Sequence, residues 1–343
     1  MVSVAAMNGA VTIVTENLGK TYPGGVEAVR DVSFSIREGE IYGFLGPNGA
    51  GKTTTVSMLT TLTLPTQGHA SISGLDVVER AREVRREIGL VFQDSTADGE
   101  LTGRENMLLA GGLFGMSPSV CAQPIKELLA RMDLTEAADR RVKGYSGGMK
   151  RRLELAVAMV HTPKVLFLDE PTLGLDPQGR AGFWRYILEL RREQKVTIFL
   201  TTHYLDEVEN LCDRLAIIDH GKIIATGTAE TLKESVGGDV VELVVPAAAP
   251  DLTTVLTAVP GVRSVQREGS HYHVQCPRAE GLVSLLVRAC DSDGVAIDGI
   301  TVHRPSLDRV FLALTGKAYR EEGYDQSRAG QASVFGGRGR GGR

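Results

Sequence analysis

The sequence predicts an α/β protein, a mostly parallel sheet covered by helices, followed by a smaller α+β domain. One observation behind this is "IYGFL" (41–45), a buried-strand run that ends in "GPNGAGKTT" (46–54) and leads into a helical pattern over 52–63. Strand, glycine loop and helix in that order form the context of a phosphate-binding loop. A second is the recurrence of short apolar runs, 88–92 ("IGLVF"), 165–168 ("VLFL"), 196–200 ("VTIFL") and 214–219 ("RLAIID"), separated by helical patterns, as in a parallel sheet buried on both faces. The third is a change of texture at about Asp239, after which the pattern reads strand, helix, strand, strand, helix, strand, the split order of ferredoxin-like domains.

In chain order, residues 1–10 read as a loose N-terminus, since "MVSVAAMNGA" lacks a basic leader and is too short for a secretory core. Residues 11–238 form the main body. It opens with "VTIVTENL" and "AVRDVSFSI", the second alternating at Val32, Phe34 and Ile36 as a half-buried strand does, which implies an antiparallel start. Between Gln93 and Pro163 no strand pattern occurs; "ENMLLAGGLF", "IKELLARM" and "RRLELAVAMV" predict an inserted helical subdomain over about 94–162. The small domain, 239–316, contains "VVELVV", a helix near 251–258, "VRSVQ", "HYHVQC", a helix near 279–290 and "VAIDGITV". "PSLDRVFLALTG" is expected to close it, with Ser306 as N-cap, Leu307, Val310, Phe311 and Leu314 on one face and Gly316 as the stop. Residues 317–343 are glycine, arginine and polar residues that cannot bury a core, so a disordered tail is expected.

A chain of 343 residues with 42% hydrophobic and 23% charged residues is long enough for a large core and a second domain. Its formal net charge of -4 is not the footprint of a duplex-binding protein, so nucleic acid is not the default partner. Cys121, Cys212, Cys276 and Cys290 form no CxxC pair and read as buried thiols rather than a disulfide frame. No run of about 18 apolar residues occurs, so any membrane part belongs to another chain.

In the loop Gly46, Pro47, Asn48, Gly49, Ala50, Gly51, Lys52, Thr53 and Thr54, the glycines let backbone N–H groups turn toward phosphate oxygens, and the helix N-terminus adds partial positive charge. Lys52 then holds the β- and γ-phosphates and the Thr53 hydroxyl sits on Mg²⁺. "VLFLDE" places Asp169 and Glu170 at the C-terminal end of a buried strand, the edge where open α/β sheets bind ligands; there Asp169 reaches the Mg²⁺ shell and Glu170 polarises an attacking water. His203 follows another buried strand, where it either serves the γ-phosphate or is a hydrogen-bonded structural residue. Tyr22, on an upstream turn, is either an adenine-stacking ring or an exposed loop tyrosine. These residues alone describe a Mg²⁺-dependent nucleotidase.

"GPNGAGKT", Gln93 after a strand, "YSGGM", "VLFLDE", "GLDP" and His203, in that order and spacing, resemble the ATP-binding-cassette (ABC) ATPases over about residues 11–235. The resemblance implies a P-loop ABC cassette in which Tyr22 stacks on adenine, Gln93 joins Thr53 and Asp169 around Mg²⁺, Glu170 is the base, His203 is the γ-phosphate switch and Asp176 lies in a dimer-contacting loop. Members of that family dimerise head to tail, so Ser146, Gly147 and Gly148 would contact the ATP held by the other subunit's Lys52. A helix start with two glycines can approach an anion closely, and Lys150, Arg151 and Arg152 add positive charge nearby. Tyr145 and Met149 depart from the leucine and glutamine of the commonest signature. "QDSTADGELTGREN", "GYSGGMKRRLELA" and "RPSLDRVFLALTG" further resemble the ATP-binding subunits of daunorubicin-resistance-type exporters. That implies a homodimer or paired cassette, peripheral on the cytoplasmic face of the membrane, driving efflux of drug, antibiotic or lipid-like compounds through a separate multi-helix permease. Residues 94–115 would form part of the surface that receives that permease's coupling helix, with Glu105 and Asn106 at its start.

Other classes are a cassette ATPase without a permease, acting on ribosomes or DNA, and an importer ATPase. The translation-factor branch carries two cassettes where this chain has one "GxxxxGK", and a separation of 93 positions from Thr53 to Ser146 leaves no room for the long coiled coil of DNA-repair cassettes. His271, His273 and Cys276 cluster near one strand, but zinc sites want four ligands. The "GGRGRGGR" end reads as a solubilising tail before it reads as an RNA or anionic-lipid contact.

Overall fold

The computed structural model describes residues 10–236, 238–246, 249–303 and 306–315; the expected loose N-terminus up to residue 9, the tail from 317 and the Gly316 stop lie outside them. The chain opens with two long strands, β1 (Val11–Tyr22) and β2 (Val26–Arg37), turned through Gly24 and Gly25 at positive φ. Their antiparallel pairing is the expected start. Strand β3 (Ile41–Leu45) is buried along its whole length and delivers the glycine loop to α1 (Lys52–Leu59). Two strands the sequence pattern did not reveal follow, β4 (Gln67–Ile72) and the short β5 (Leu75–Asp76), completing an antiparallel sheet of order β2-β1-β4-β5.

Helix α2 (Ala81–Glu87) leads into β6 (Ile88–Val91), and the chain then leaves the sheet for α3 (Gly103–Leu113), α4 (Pro118–Arg131) and α5 (Gly147–Met159). This is the expected inserted helical region. Tyr145 is buried in it, its hydroxyl donating to the Ala137 carbonyl at 2.6 Å. A Cβ on Gly103 would come within 2.5 Å of that hydroxyl, so glycine at the start of α3 and tyrosine before the signature serine go together.

The chain returns as β7 (Val165–Asp169), α6 (Pro177–Gln194), β8 (Thr197–Thr202), α7 (Leu205–Leu211), β9 (Arg214–Asp219), β10 (Lys222–Gly227) and α8 (Ala229–Ser235). The second sheet has order β10-β9-β3-β8-β7-β6, parallel except for the edge pair β10–β9. Its register sets up the site: Leu45 pairs with Thr202, and Asp169 with Thr201. The glycine loop, Asp169–Glu170 and Thr202–His203 therefore leave the sheet side by side.

The last region carries β11 (Asp239–Val244), α9 (Thr253–Thr257), β12 (Ser264–Glu268), β13 (His271–Cys276), α10 (Leu282–Ser292) and β14 (Gly299–His303). All pairs are antiparallel in the order β12-β13-β11-β14, the ferredoxin-like arrangement. Helix α11 (Leu307–Thr315) does not close this sheet. Its face of Leu307, Val310 and Phe311 packs on Leu205, Val208, Leu215, Ile217 and Leu232 of the main body. Glu209 of α7 accepts from the Leu307 N–H at 3.2 Å, while Leu314 is exposed. No helix among the described residues is long and apolar enough to cross a membrane.

Candidate functional site: a nucleotide cradle and its carboxylates

Loop 46–51 is shaped by three glycines. A Cβ at Gly46 would meet the Ile218 carbonyl oxygen at 2.4 Å, and one at Gly51 the Ala28 carbonyl oxygen at 2.6 Å, while Gly49 and Gly51 stand at φ 80° and 107°. Asn48 and Gly49 are exposed at the loop tip, and Pro47 and Thr54 are half-buried. Ala50 is buried, its N–H donating to the Pro47 carbonyl. The Lys52 side chain is buried under the loop, with Nζ 2.7 Å from the Gly46 carbonyl, 3.3 Å from that of Pro47 and 3.0 Å from Glu170 Oε1.

Asp169 accepts from Thr201 Oγ1 at 2.5 Å and from the Thr53 hydroxyl. Burial pushes its carboxyl above the usual range, against those two hydrogen bonds. Glu170 sits at φ 47°, a left-handed conformation that costs about 1–3 kcal/mol for such a residue and persists only where its surroundings enforce it. Its N–H is taken by the Thr201 carbonyl and hydroxyl, both at 3.1 Å. Its Oε2 lies 2.9 Å from His203 Nδ1. Burial raises the Glu170 pKa, but the His203 bond and the Lys52 ammonium outweigh it, leaving the carboxyl below the ordinary glutamate range. Lys52, Thr53, Asp169, Glu170 and His203 are thus brought together. A hydroxyl beside a carboxylate, a lysine in a glycine-walled loop and an open helix N-terminus suit a nucleoside triphosphate with Mg²⁺.

Gln93 leaves the same sheet edge, since Val91 pairs with Leu168, and is exposed. Tyr22 is exposed at the first hairpin, with Lys20 Nζ 5.2 Å from its ring centroid. Ser146 caps α5, its Oγ accepting from Met149 N–H at 3.3 Å. Ser146, Gly147 and Gly148 share a cleft of about 820 Å³ with Asp176, which caps α6 by accepting from Gly179 N–H at 2.9 Å.

Several expectations need correcting. Arg151 is turned away from the signature glycines into the protein, onto the carbonyls of Phe92, Asp169, Glu170 and Pro171. Arg152 does line the cleft, held by the Met132 carbonyl and the Tyr186 hydroxyl. Asn106 is buried and bonded to Asp98 and Thr102, whereas Glu105, in a capping box with Thr102, stays exposed; the exposed apolar residues of that helix are Leu109 and Leu113. Cys276 lies on the buried face of β13 while His271 and His273 lie on the other, as a period of two requires. Those histidine positions face Glu242, which accepts from His271 and His303, both at 2.8 Å; among the described residues no group is arranged to hold a metal. Sequence reasoning missed Glu207, buried on α7, which accepts from Thr172 and, at 2.7 Å, from Thr202; its spacing from His203 was the available signal.

The ABC transporter family profile matches residues 29–173, and that of the DrrA1-3-like ATP-binding protein C-terminal domain matches residues 227–315. The chain is 41% identical over 315 residues to the doxorubicin resistance ATP-binding protein DrrA of Mycobacterium tuberculosis, covering 90% of this chain and 95% of that protein. It is 43% identical over 295 residues to the Nod factor export ATP-binding protein I of Burkholderia lata, covering 85% and 93%. Among solved structures it is similar to cbiO1 of Clostridium perfringens, part of an ABC transporter complex, with a TM-score of 0.60 and 27% identity over 64% of this chain and 89% of that one. With its cassette and its C-terminal domain both matched, the chain belongs to the ABC transporter ATP-binding proteins that carry a DrrA1-3-like C-terminal domain, and it is an ATP hydrolase.

Proposed function

We propose that the chain is the ATP-hydrolysing subunit of an exporter for drug, antibiotic or lipid-like compounds, working as a head-to-tail dimer beneath a separate membrane permease. The observation that carries the exporter assignment is the identity of 41–43% with resistance and Nod-factor-export ATP-binding proteins across nine-tenths of their length, C-terminal domain included. In this reading residues 11–238 are the cassette and 239–316 an accessory domain whose last helix is anchored back on the cassette.

At each site Tyr22 would stack on adenine, and the loop 46–54 would surround the phosphates. Lys52 exchanges its bond to Glu170 for phosphate oxygens. Mg²⁺, held by Thr53, Gln93 and Asp169, would neutralise charge on the β- and γ-phosphates. Glu170, released by Lys52 and still oriented by His203, takes a proton from the attacking water. The partner's Ser146, Gly147 and Gly148 would complete the site, with Asp176 at the dimer contact. Leu109 and Leu113, exposed on α3, would meet the permease.

Co-expression with a candidate permease, a neighbouring reading frame that encodes about six apolar helices, tests the assignment. Recovery of the chain on membranes only with that permease, together with reduced cellular accumulation of an amphipathic drug, is the expected result. Equal membrane recovery without any permease, or unchanged drug accumulation in cells carrying the assembled pair, counts against it.

A further inference from the structure

Arg151 lies at the junction of three functional segments and is almost fully buried, with 8% of its side chain exposed. A guanidinium has five N–H donors in a rigid fork, and five acceptors surround this one. Nε donates to the Pro171 carbonyl; Nη1 donates to the Phe92 carbonyl at 2.5 Å and to Glu154 Oε2 at 2.9 Å; Nη2 donates to the carbonyls of Asp169 at 3.4 Å and Glu170 at 3.2 Å. Phe92 immediately precedes Gln93. Asp169, Glu170 and Pro171 are the backbone that aims the catalytic carboxylate. Arg151 itself stands one turn inside α5, the helix that begins at Ser146–Gly148.

Glu170 has left-handed backbone geometry, at φ 47°. Its N–H is fixed by Thr201 and its carbonyl by Arg151, so its conformation is gripped from β8 on one side and from the signature helix on the other. We propose that Arg151 is a positioning residue that makes the Glu170 backbone and the segment entering Gln93 move with the signature helix. Engagement of that helix by the partner's nucleotide would then set the aim of this chain's own base. This rests on reading Glu170 as the base and Ser146–Gly148 as the partner-facing signature. Lysine has three donors on a single nitrogen and cannot span the five acceptors.

The test measures kcat and KM for MgATP with the full chain carrying Arg151→Lys, with Glu170→Gln in parallel. A positioning role predicts a kcat at least tenfold lower with KM within twofold of wild type, because the Lys52 cradle is untouched. A folded variant with kcat within threefold of wild type overturns the proposal. So does a fall in kcat matched by a comparable rise in KM, which marks general loosening. If Arg151→Lys does not fold, the pair Arg151→Gln with Glu154→Gln, which removes both buried charges together, is judged by the same numbers; failure of both to fold makes Arg151 a fold-holding residue and overturns the proposal. Near-normal hydrolysis by Glu170→Gln refutes the base assignment itself, whereas a dead Glu170→Gln beside a normal Arg151→Lys refutes only the positioning role.

Discussion

The Lys52 ammonium stands 3.0 Å from the Glu170 carboxylate, with both side chains buried. In the proposed mechanism one lysine is thereby shared between two competitors, the phosphate oxygens it would hold and the carboxylate that would act as base. Glu170→Gln removes the competing charge along with the base. Turnover is expected to fall by about 10²–10⁴, and MgATP is expected to bind at least as tightly as to wild type. Calorimetric titration beside an ATPase assay checks both; hydrolysis near the wild-type rate, or weakened binding, would contradict the shared-lysine reading.

Helix α11 provides a second test, because its contacts are with the cassette. Phe311 is 4% exposed and packs with Leu307 and Val310 against α7, α8 and β9. Phe311→Ala is expected to destabilise the protein by about 3–5 kcal/mol, the usual cost of emptying an aromatic core site. Removal of residues 239–343 should leave Leu205, Val208 and Leu232 uncovered and the remaining piece less soluble than the full chain. Urea unfolding of Phe311→Ala reads the first outcome. A shift below about 1 kcal/mol would mean that α11 is not seated as described.

That placement shows where sequence reading runs out. The spacing of Leu307, Val310 and Phe311 reveals an apolar face, but periodicity does not say which surface receives it. Strands β3, β7, β8 and β9 are legible because strands buried on both faces are continuous apolar runs; β4 ("QGHASI"), inside the antiparallel sheet, and the edge strand β10 ("KIIATG") are half-polar and give no such run. Among the site residues, Lys52, Thr53, Asp169, Glu170 and His203 are legible because each lies at the end of a readable strand or in the glycine loop. Arg151 is not, since an arginine three residues past the signature glycines reads as surface charge until the backbone carbonyls that surround it are known. The separation of Cys276 from His271 and His273 was available from strand parity alone.

His161 carries a pH dependence. Burial depresses its pKa below the usual histidine value, partly opposed by the bond between Nε2 and the Ile88 carbonyl at 2.9 Å, and its ring stacks on Phe114 at 3.7 Å. A histidine whose folded pKa is lowered takes up its proton more readily when unfolded. Its neutral form therefore favours folding fully above about pH 6.5, and stability is lost as pH falls below that value. His161→Asn, which keeps a donor but cannot titrate, should flatten the decline in melting temperature between about pH 7 and pH 5. Parallel pH profiles of wild type and variant would exclude His161 as the source.

The arrangement of Ser146 with Asp176 in one cleft leads to a test of the shared site by mixing a Lys52→Ala chain with a Ser146→Arg chain. The first loses its phosphate lysine. The second presents a bulky cation where a small hydroxyl capped the helix, and it can no longer approach a partner's γ-phosphate closely. Either homodimer carries a lesion in both sites. If each site combines Lys52 of one chain with Ser146 of the other, the mixed dimer gathers both lesions into one site and leaves the second entirely wild type in composition. Its ATPase should then exceed that of both parents, or, where full turnover needs two intact sites, it should trap one nucleotide per dimer. Heterodimers isolated with two affinity tags and assayed at saturating MgATP decide the matter. If they show neither activity nor trapping, Ser146 serves its own chain's nucleotide or none, and the head-to-tail arrangement is lost as an explanation for why this chain carries two glycine-rich helix starts.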